Sequence, residues 1–263
     1  MSTKTDKRAK EILRLLLRHG KTSIDDLTSE LSASPASIRR DLTRLETQGL
    51  VHRTHGGAML AAAGQTVYEP FRLDASFQVR QQRFAAEKLR IARAAAALVQ
   101  PNETVGIAAG TTTTMVARQL VHHEGLRVIT NAANIGLELS ASVRLETMLT
   151  GGYLRWAGAF SLVGHTAIES LAMVVMDRVF LSATGVDTEH GATIIEPDEA
   201  AVFRVMARQS RQVVVVADSS KMGLVSPSVI CSPRKIDLLI TDDGISEEAV
   251  EAFRVNRIRL LIV

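Results

Sequence analysis

Apolar residues recur at helical spacing three times within the first fifty positions. Ala9, Ile12, Leu13, Leu16 and Leu17 stripe a helix over residues 6–19, which Gly20 stops. Thr22 and Ser23 can cap a short second helix carrying Ile24, Leu27 and Leu31. After a brief connection at 32–34, Ser34 caps and Pro35 opens a third helix with Ile38, Leu42 and Leu45 on one face. Residues 50–58 then read as two short strands, the second running past Ala58, with a basic tip and the Gly56-Gly57 pair for a tight turn. From 61 to 80 no stripe persists and Pro70 interrupts, so this span is the expected linker. An alanine-rich helix resumes over 83–99. Beyond it, short apolar runs at 104–108, 127–130, 145–150, 178–182, 212–217, 236–240 and 257–263 read as strands. Helical stretches separate them, among them those from Thr112 and Asn134 and over 199–210. Such alternation predicts an α/β domain with a largely parallel sheet. The expected division is therefore a small domain at 1–60, a linker at 61–80 and an α/β domain at 81–263.

Charge changes the picture for the first domain. Residues 1–60 hold 11 Lys and Arg against 7 Asp and Glu, a net of +4, while the remaining 203 hold 20 against 21, a net of −1. The positive charge is concentrated where the three helices are, which favours a polyanionic partner there. On the third helix, ~100° per residue places Ala36, Arg40, Thr43 and Thr47 opposite the apolar face, with Ser37 and Arg44 on one flank and Arg39 on the other. A small, hydroxylated, basic surface can enter a major groove. Taken alone it could equally be a solvated amphipathic helix. The two helices before it and the ribbon after it decide the matter, because that order is a winged helix-turn-helix. Arg40 is expected to read a base of a double-stranded DNA operator, and Arg39, Arg44 and Arg53 to hold phosphates. Ser34, Ala36, Ser37, Thr43 and His55 complete the candidate surface. No apolar run approaches the ~18 residues of a membrane span, and a soluble, cytoplasmic protein is expected. The single cysteine, Cys231, leaves no internal disulfide or multi-cysteine metal site and reads as a buried small hydrophobe; no metal or cofactor is expected.

Ligands of parallel sheets sit at the carboxyl ends of the strands. There Gly110, Thr111, Thr112, Thr113 and Thr114 open a helix, bringing N–H groups, a positive dipole end and hydroxyls together as in an anion site. Thr130 and Asn131 end the second strand, Gly151 and Gly152 with Arg155 the third, Gly185-Val186-Asp187 the fourth, and Asp218 to Lys221 the fifth. Each alone reads more readily as a cap, a tight turn or an Asx loop. Five of them at strand ends argue for a pocket.

These motifs, with Arg39-Arg40-Asp41-Leu42, His55-Gly56-Gly57-Ala58, Glu87-Lys88 and Gly164, resemble in order the DeoR family of bacterial transcriptional regulators. The resemblance spans nearly the whole chain. It implies an α/β fold class with an N-terminal winged helix-turn-helix and a C-terminal α/β sensor domain similar to ribose-5-phosphate isomerase. It also implies a homodimer or homotetramer that represses a carbohydrate or related catabolic operon and is released by a phosphorylated metabolite. By resemblance, Lys88 and residues 110–113 would hold the phosphate, Asp187 and Lys221 would face the sugar end, and Asn131 and Arg155 would lie along the wall. Two positions depart from the family pattern. Ala108 stands where an Asp is usual and Phe203 where a Lys is usual, so the effector expected is a phosphorylated or otherwise acidic metabolite with fewer hydroxyls than a hexose phosphate. Phe203 would be an apolar wall if it points inward, although with Val202 and Met206 beside it an aromatic there is more often a core residue. An isomerase-like sugar-phosphate enzyme fused to a DNA-binding module is the alternative. It needs paired acid/base groups, and the Asp187 loop supplies no second carboxylate. A ligand-free architectural DNA binder is opposed by the converging polar loops.

Overall fold

Two separate hydrophobic cores organise the chain into two units, Met1–Arg80 and Gln81–Val263. The computed structural model describes residues 8–9, 11–13, 15–16, 21–47, 51–54, 56–60, 77–155 and 160–263.

In the first unit, residues 8–9, 11–13 and 15–16 are helical. Ala9, Ile12, Leu13 and Leu16 are buried as their spacing requires, and Leu15 joins them; Leu17 and Gly20 lie outside the described residues. There follow β1 (Lys21–Ser23), α1 (Ile24–Leu31), α2 (Pro35–Thr47), β2 (Val51–Thr54) and β3 (Gly57–Leu60). Ser23 caps α1 by accepting from the Asp26 N–H at 3.0 Å, and the Asp26 carboxylate accepts in return from the Ser23 N–H, a capping box. Ser32, in the left-handed region at φ 47°, ends α1. Two residues on, the Ser34 carbonyl accepts from the Ile38 N–H at 3.0 Å to start α2. Ile38, Leu42 and Leu45 pack with Leu27, Val51 and Ala58 into one core. The strand β1 carries no periodic signal of its own. Lys-Thr-Ser becomes extended because β3 pairs with it, giving the order β1-β3-β2. That approach needs a glycine, since a Cβ on Gly57 would stand 2.2 Å from the Thr22 carbonyl oxygen.

The helix α3 (Phe77–Gln82) spans the end of the first unit and the start of the second, where α4 (Ala85–Ala96) follows. Residues 77–80 of the expected linker thus begin a helix, and 61–76 lie outside the described residues. Next are β4 (Thr104–Ile107), α5 (Thr111–Leu120), β5 (Arg127–Thr130), α6 (Ala133–Leu139), β6 (Glu146–Leu149), β7 (Tyr153–Leu154), β8 (Leu162–Val163) and α7 (His165–Ala172). The chain closes with β9 (Met176–Leu181), β10 (Gly185–Asp187), β11 (Gly191–Ile194), α8 (Pro197–Arg208), β12 (Ser210–Val216), β13 (Ser228–Cys231), β14 (Leu238–Thr241), α9 (Glu247–Val255) and β15 (Leu260–Ile262).

Seven strands form one parallel sheet in the order β15-β14-β12-β9-β4-β5-β6. The chain therefore runs outward from β4 to β6, then returns to β4's other side as β9 and runs outward again. Parallel strands are joined by crossovers, and by their usual right hand the helices of the two halves fall on opposite faces; a strand covered on both faces reads as apolar, as in Val213–Val216 of β12. Residues 185–187, expected as the end of the fourth strand, are instead a strand of a separate antiparallel sheet, β10-β11-β13. Among the described residues no helix is long and apolar enough to cross a membrane.

Candidate functional site

Because α2 turns Ile38, Leu42 and Leu45 inward, Ala36, Arg39, Arg40, Thr43 and Thr47 are exposed, with Ser37 and Arg44 half-buried on the flank. Ser34 is exposed as well, its hydroxyl 3.0 Å from that of Ser37. Arg53 is exposed on β2, and its backbone N–H donates to Glu46 Oε1 at 3.2 Å, tying the wing to the end of α2. His55 lies outside the described residues. Two hydroxyls of this face are already committed: Thr43 donates to the Arg39 carbonyl and Thr47 to the Thr43 carbonyl, each at 2.9 Å. A phosphate oxygen only accepts, so Thr43 can bond one only by turning its proton away from the helix.

Asp41 was no candidate, yet it fixes this face. Although charged, it is 4% exposed, and its Oδ2 accepts from Arg8 Nε at 2.6 Å. Ile38, Asp41, Leu42 and Leu45 form an i, i+3, i+4, i+7 series, so an acid at a buried register was the legible sign of a buried pair. The pair joins the first helical segment to α2 and so sets how Arg39 and Arg40 are presented.

In the sensor unit the strand order reverses between β4 and β9, and open α/β sheets bind ligands in the crevice at such a point. There the chain leaves β4 through Ala108, Ala109 and Gly110 into α5. Gly110 has no room for a side chain, because a Cβ would lie 2.5 Å from Ser182 Oγ, just beyond β9. Ser182 in turn donates to the Ala109 carbonyl at 2.6 Å. The Thr113 and Thr114 hydroxyls bond the Gly110 carbonyl at 3.1 and 2.7 Å. The turn is thus held from within, and the first N–H groups of α5, from Thr111 and Thr112, have no intrahelical partner at the positive end of the helix dipole. Thr112 and Thr113 are buried, and Thr111 is half-buried.

Thr130 and Asn131 are fully buried and serve that turn. Thr130 Oγ1 donates to the Ile107 carbonyl at 2.6 Å; Asn131 Oδ1 accepts from the Ala109 N–H at 2.9 Å while its Nδ2 donates to Leu162 at 3.2 Å. Both ends of the amide are used, so Asn131 positions the turn. Gly151 and Gly152, at φ +69° and +105°, swing the chain from β6 into the β7–β8 hairpin. The Arg155 guanidinium lies 3.0 Å from Glu196 Oε1 and 3.5 Å from Glu199 Oε2, and Ser161 Oγ donates to Glu199 Oε1. Neither glutamate was a candidate, and Glu199 sits four residues before Phe203 on the buried side of α8.

Lys88 is 4% exposed, and its Nζ donates to the Arg83 carbonyl at 2.6 Å. Asp187 Oδ1 accepts from the backbone N–H groups of Glu189 and His190 and lies 2.9 Å from His190 Nδ1. Burial works against its ionisation, but these partners outweigh it and hold the carboxyl below its ordinary pKa. Lys221 is half-buried in the 3-10 turn Ser219–Lys221 after β12. Val186 bridges to Met222, so the Asp187 and Lys221 loops adjoin. Ala108 and Phe203 are both fully buried in the hydrophobic core, and Phe203 is a core side chain rather than a pocket wall. An open cleft lined by Thr104, Arg127, Arg144 and Glu146 lies at the opposite, amino end of the strands, away from all these groups. Among the described residues no group of three or more His, Cys, Asp or Glu side chains could hold a metal ion.

Two family models match the chain: a DeoR-like helix-turn-helix domain over residues 8–63 and a DeoR C-terminal sensor domain over residues 83–243. A protein described as an aga operon transcriptional repressor in Escherichia coli O157:H7 is 32% identical over 99% of this chain and 95% of its own length. The transcriptional repressor GlcR of Bacillus subtilis is 32% identical over 98% and 96%, and the glycerol-3-phosphate regulon repressor of Escherichia coli K12 is 30% identical over 91% of both. Among solved structures, ribose 5-phosphate isomerase A of Neisseria gonorrhoeae aligns over 53% of each chain at 18% identity with a TM-score of 0.38.

Proposed function

The chain belongs to the DeoR family of transcriptional regulators, and from that premise we propose a mechanism for its two units. The first unit reads an operator in double-stranded DNA and represses a carbohydrate or related catabolic operon. A small phosphorylated or otherwise acidic metabolite, bound by the second unit, releases it. The protein is a regulator and not an enzyme, as are the relatives it matches over nearly full length.

One observation carries the DNA reading: α2 sets a solvent-facing surface of Arg39, Arg40 and Thr43 above a core and a partly buried Arg8–Asp41 pair that fix its orientation. Arg40, opposite the apolar stripe, reads a base edge, while Arg39, Arg44 and Arg53 neutralise phosphates. Ser34, Ala36 and Ser37 lie close to the backbone at the amino end of the helix. In the sensor unit the α5 N-terminus at the switch point favours an anion through its N–H groups and dipole. Thr111 offers a hydroxyl beside them, while Thr130 and Asn131 keep the turn in shape. The protein acts as at least a dimer, since one winged module buries too little surface for operator affinity. Effector release then follows if one arrangement of the oligomer binds the metabolite better and misplaces the recognition helices.

Selection from a pool of random duplex DNA tests the reading. Full-length protein should enrich one two-fold-related sequence, and its binding should fall steeply with salt. Failure to enrich any sequence would sink it.

A further inference from the structure

The sheet ends at β6 on one side, and that edge is unusually apolar. Leu149 at the end of β6 is 44% exposed, Leu137 on α6 is 74% exposed, and Tyr153 and Leu154 on β7 are 79% and 58% exposed. They adjoin: the Leu149 side chain lies against Gly136, the neighbour of Leu137, and only Thr150, Gly151 and Gly152 separate β6 from β7. Successive residues of a strand point to opposite faces, so exposure of both Tyr153 and Leu154 means that the described residues cover neither face of β7. A two-residue strand paired with only one other has little stability of its own in water, yet this one carries two large apolar side chains outward. Edge strands of monomers are commonly guarded by charge. The one charge on β6, Glu146, is at its far end and is paired with Arg127 at 2.9 Å.

We propose that this surface, formed by β6, β7 and α6 around Leu137, Leu149, Tyr153 and Leu154, is where a second copy of this chain docks. From these exposures the four residues together present on the order of 500 Å², most of it apolar. That is at the upper end for a monomer, and it approaches the ~800 Å² that each partner gives to a stable interface. An open edge strand suits a two-fold axis, because antiparallel pairing of β6 with its own copy satisfies the same backbone groups on both sides. The other sheet edge is the poorer candidate. There Val255 on α9 and Ile262 on β15 are exposed at 68% and 42%, without a projecting hairpin. The inference rests on the regulator reading only for the expectation of a dimer, and its deciding readout is mass rather than DNA binding.

The test is the mass of the full-length protein in solution, by light scattering or sedimentation, for wild type, Tyr153→Glu with Leu154→Glu, and Val255→Glu as a control. All three sites are exposed, so folding should survive, and circular dichroism checks it. Wild type should exceed 28.5 kDa by a whole-number factor. The hairpin variant should step down to fewer subunits at micromolar concentration, with the dimer weakened at least tenfold, while Val255→Glu should keep the wild-type mass. A monomeric wild type, an unchanged mass in the hairpin variant, or a loss of subunits in Val255→Glu alone would each overturn the assignment. A dimer that resists the hairpin variant but still selects an operator would retire this surface and leave the regulator reading standing.

Discussion

Removing the Asp41 carboxylate would leave the Arg8 guanidinium partly buried without its partner. Asp41→Ala is expected to cost about 1–3 kcal/mol in the N-terminal unit and to weaken operator binding, read by thermal denaturation and fluorescence anisotropy. On the exposed face of the same helix, Arg40→Ala should lose ~1–3 kcal/mol on the operator and flatten sequence preference. Arg53→Ala should weaken all DNA alike and lower the salt slope by about one unit. Equal losses for Arg40→Ala on operator and scrambled DNA would refute the base contact. In the sensor unit the Asp187 carboxyl, held below its ordinary pKa, contributes stability that is present above the unfolded value and is lost as pH falls through the folded one. Asp187→Asn should therefore flatten the acid limb of a pH melt below about pH 4. Burial pushes the Cys231 thiol up to about 11, so iodoacetamide at pH 8 should label it only after unfolding.

At the scale of elements, period and punctuation located most of the large sheet. Runs expected at 127–130 and 145–150 became β5 and β6 with at most a residue trimmed at each end. What stayed hidden was made by distant partners. The strand β1 is extended only because β3 reaches it, and 185–187 left the fourth strand because β11 and β13 pair into a second sheet. Of the site, the Gly110 turn could be read from its glycine and threonines. The carboxylates on Arg155 could not, since Glu196 and Glu199 come from a helix about forty residues away in sequence, and only Glu199's buried register hinted at them. Close backbone approach makes two glycines testable. Gly57→Ala would set a methyl group 2.2 Å from the Thr22 carbonyl oxygen and force β1 from β3. It should abolish DNA binding while the sensor unit melts as before. Gly110→Ala would meet Ser182 at 2.5 Å and deform the α5 entrance. Loss of the thermal shift produced by a phosphorylated metabolite, with DNA affinity retained, is the expected signature.

For the whole molecule, the proposed pairing of two chains through the second unit has a direct test. On that proposal a fragment of residues 1–60, lacking the second unit, should bind operator DNA far less tightly than the full chain. Matching affinities would refute that dependence. Incubation of the full chain with ribose 5-phosphate should give no turnover above background, since Asp187 is committed to its own turn. The outward-and-back path of the large sheet also bears on how the chain is made. Val105 in β4 must wait for Arg178 in β9, its neighbour in register, which is synthesised 73 residues later. At ~5–20 residues per second the ribosome leaves that central strand with an open apolar edge for about 4–15 s, while β5 and β6 are already able to pair. The nascent chain is therefore most prone to aggregate as a three-stranded half-sheet. Chains halted just before β9 should recruit chaperones more strongly than chains halted just after it.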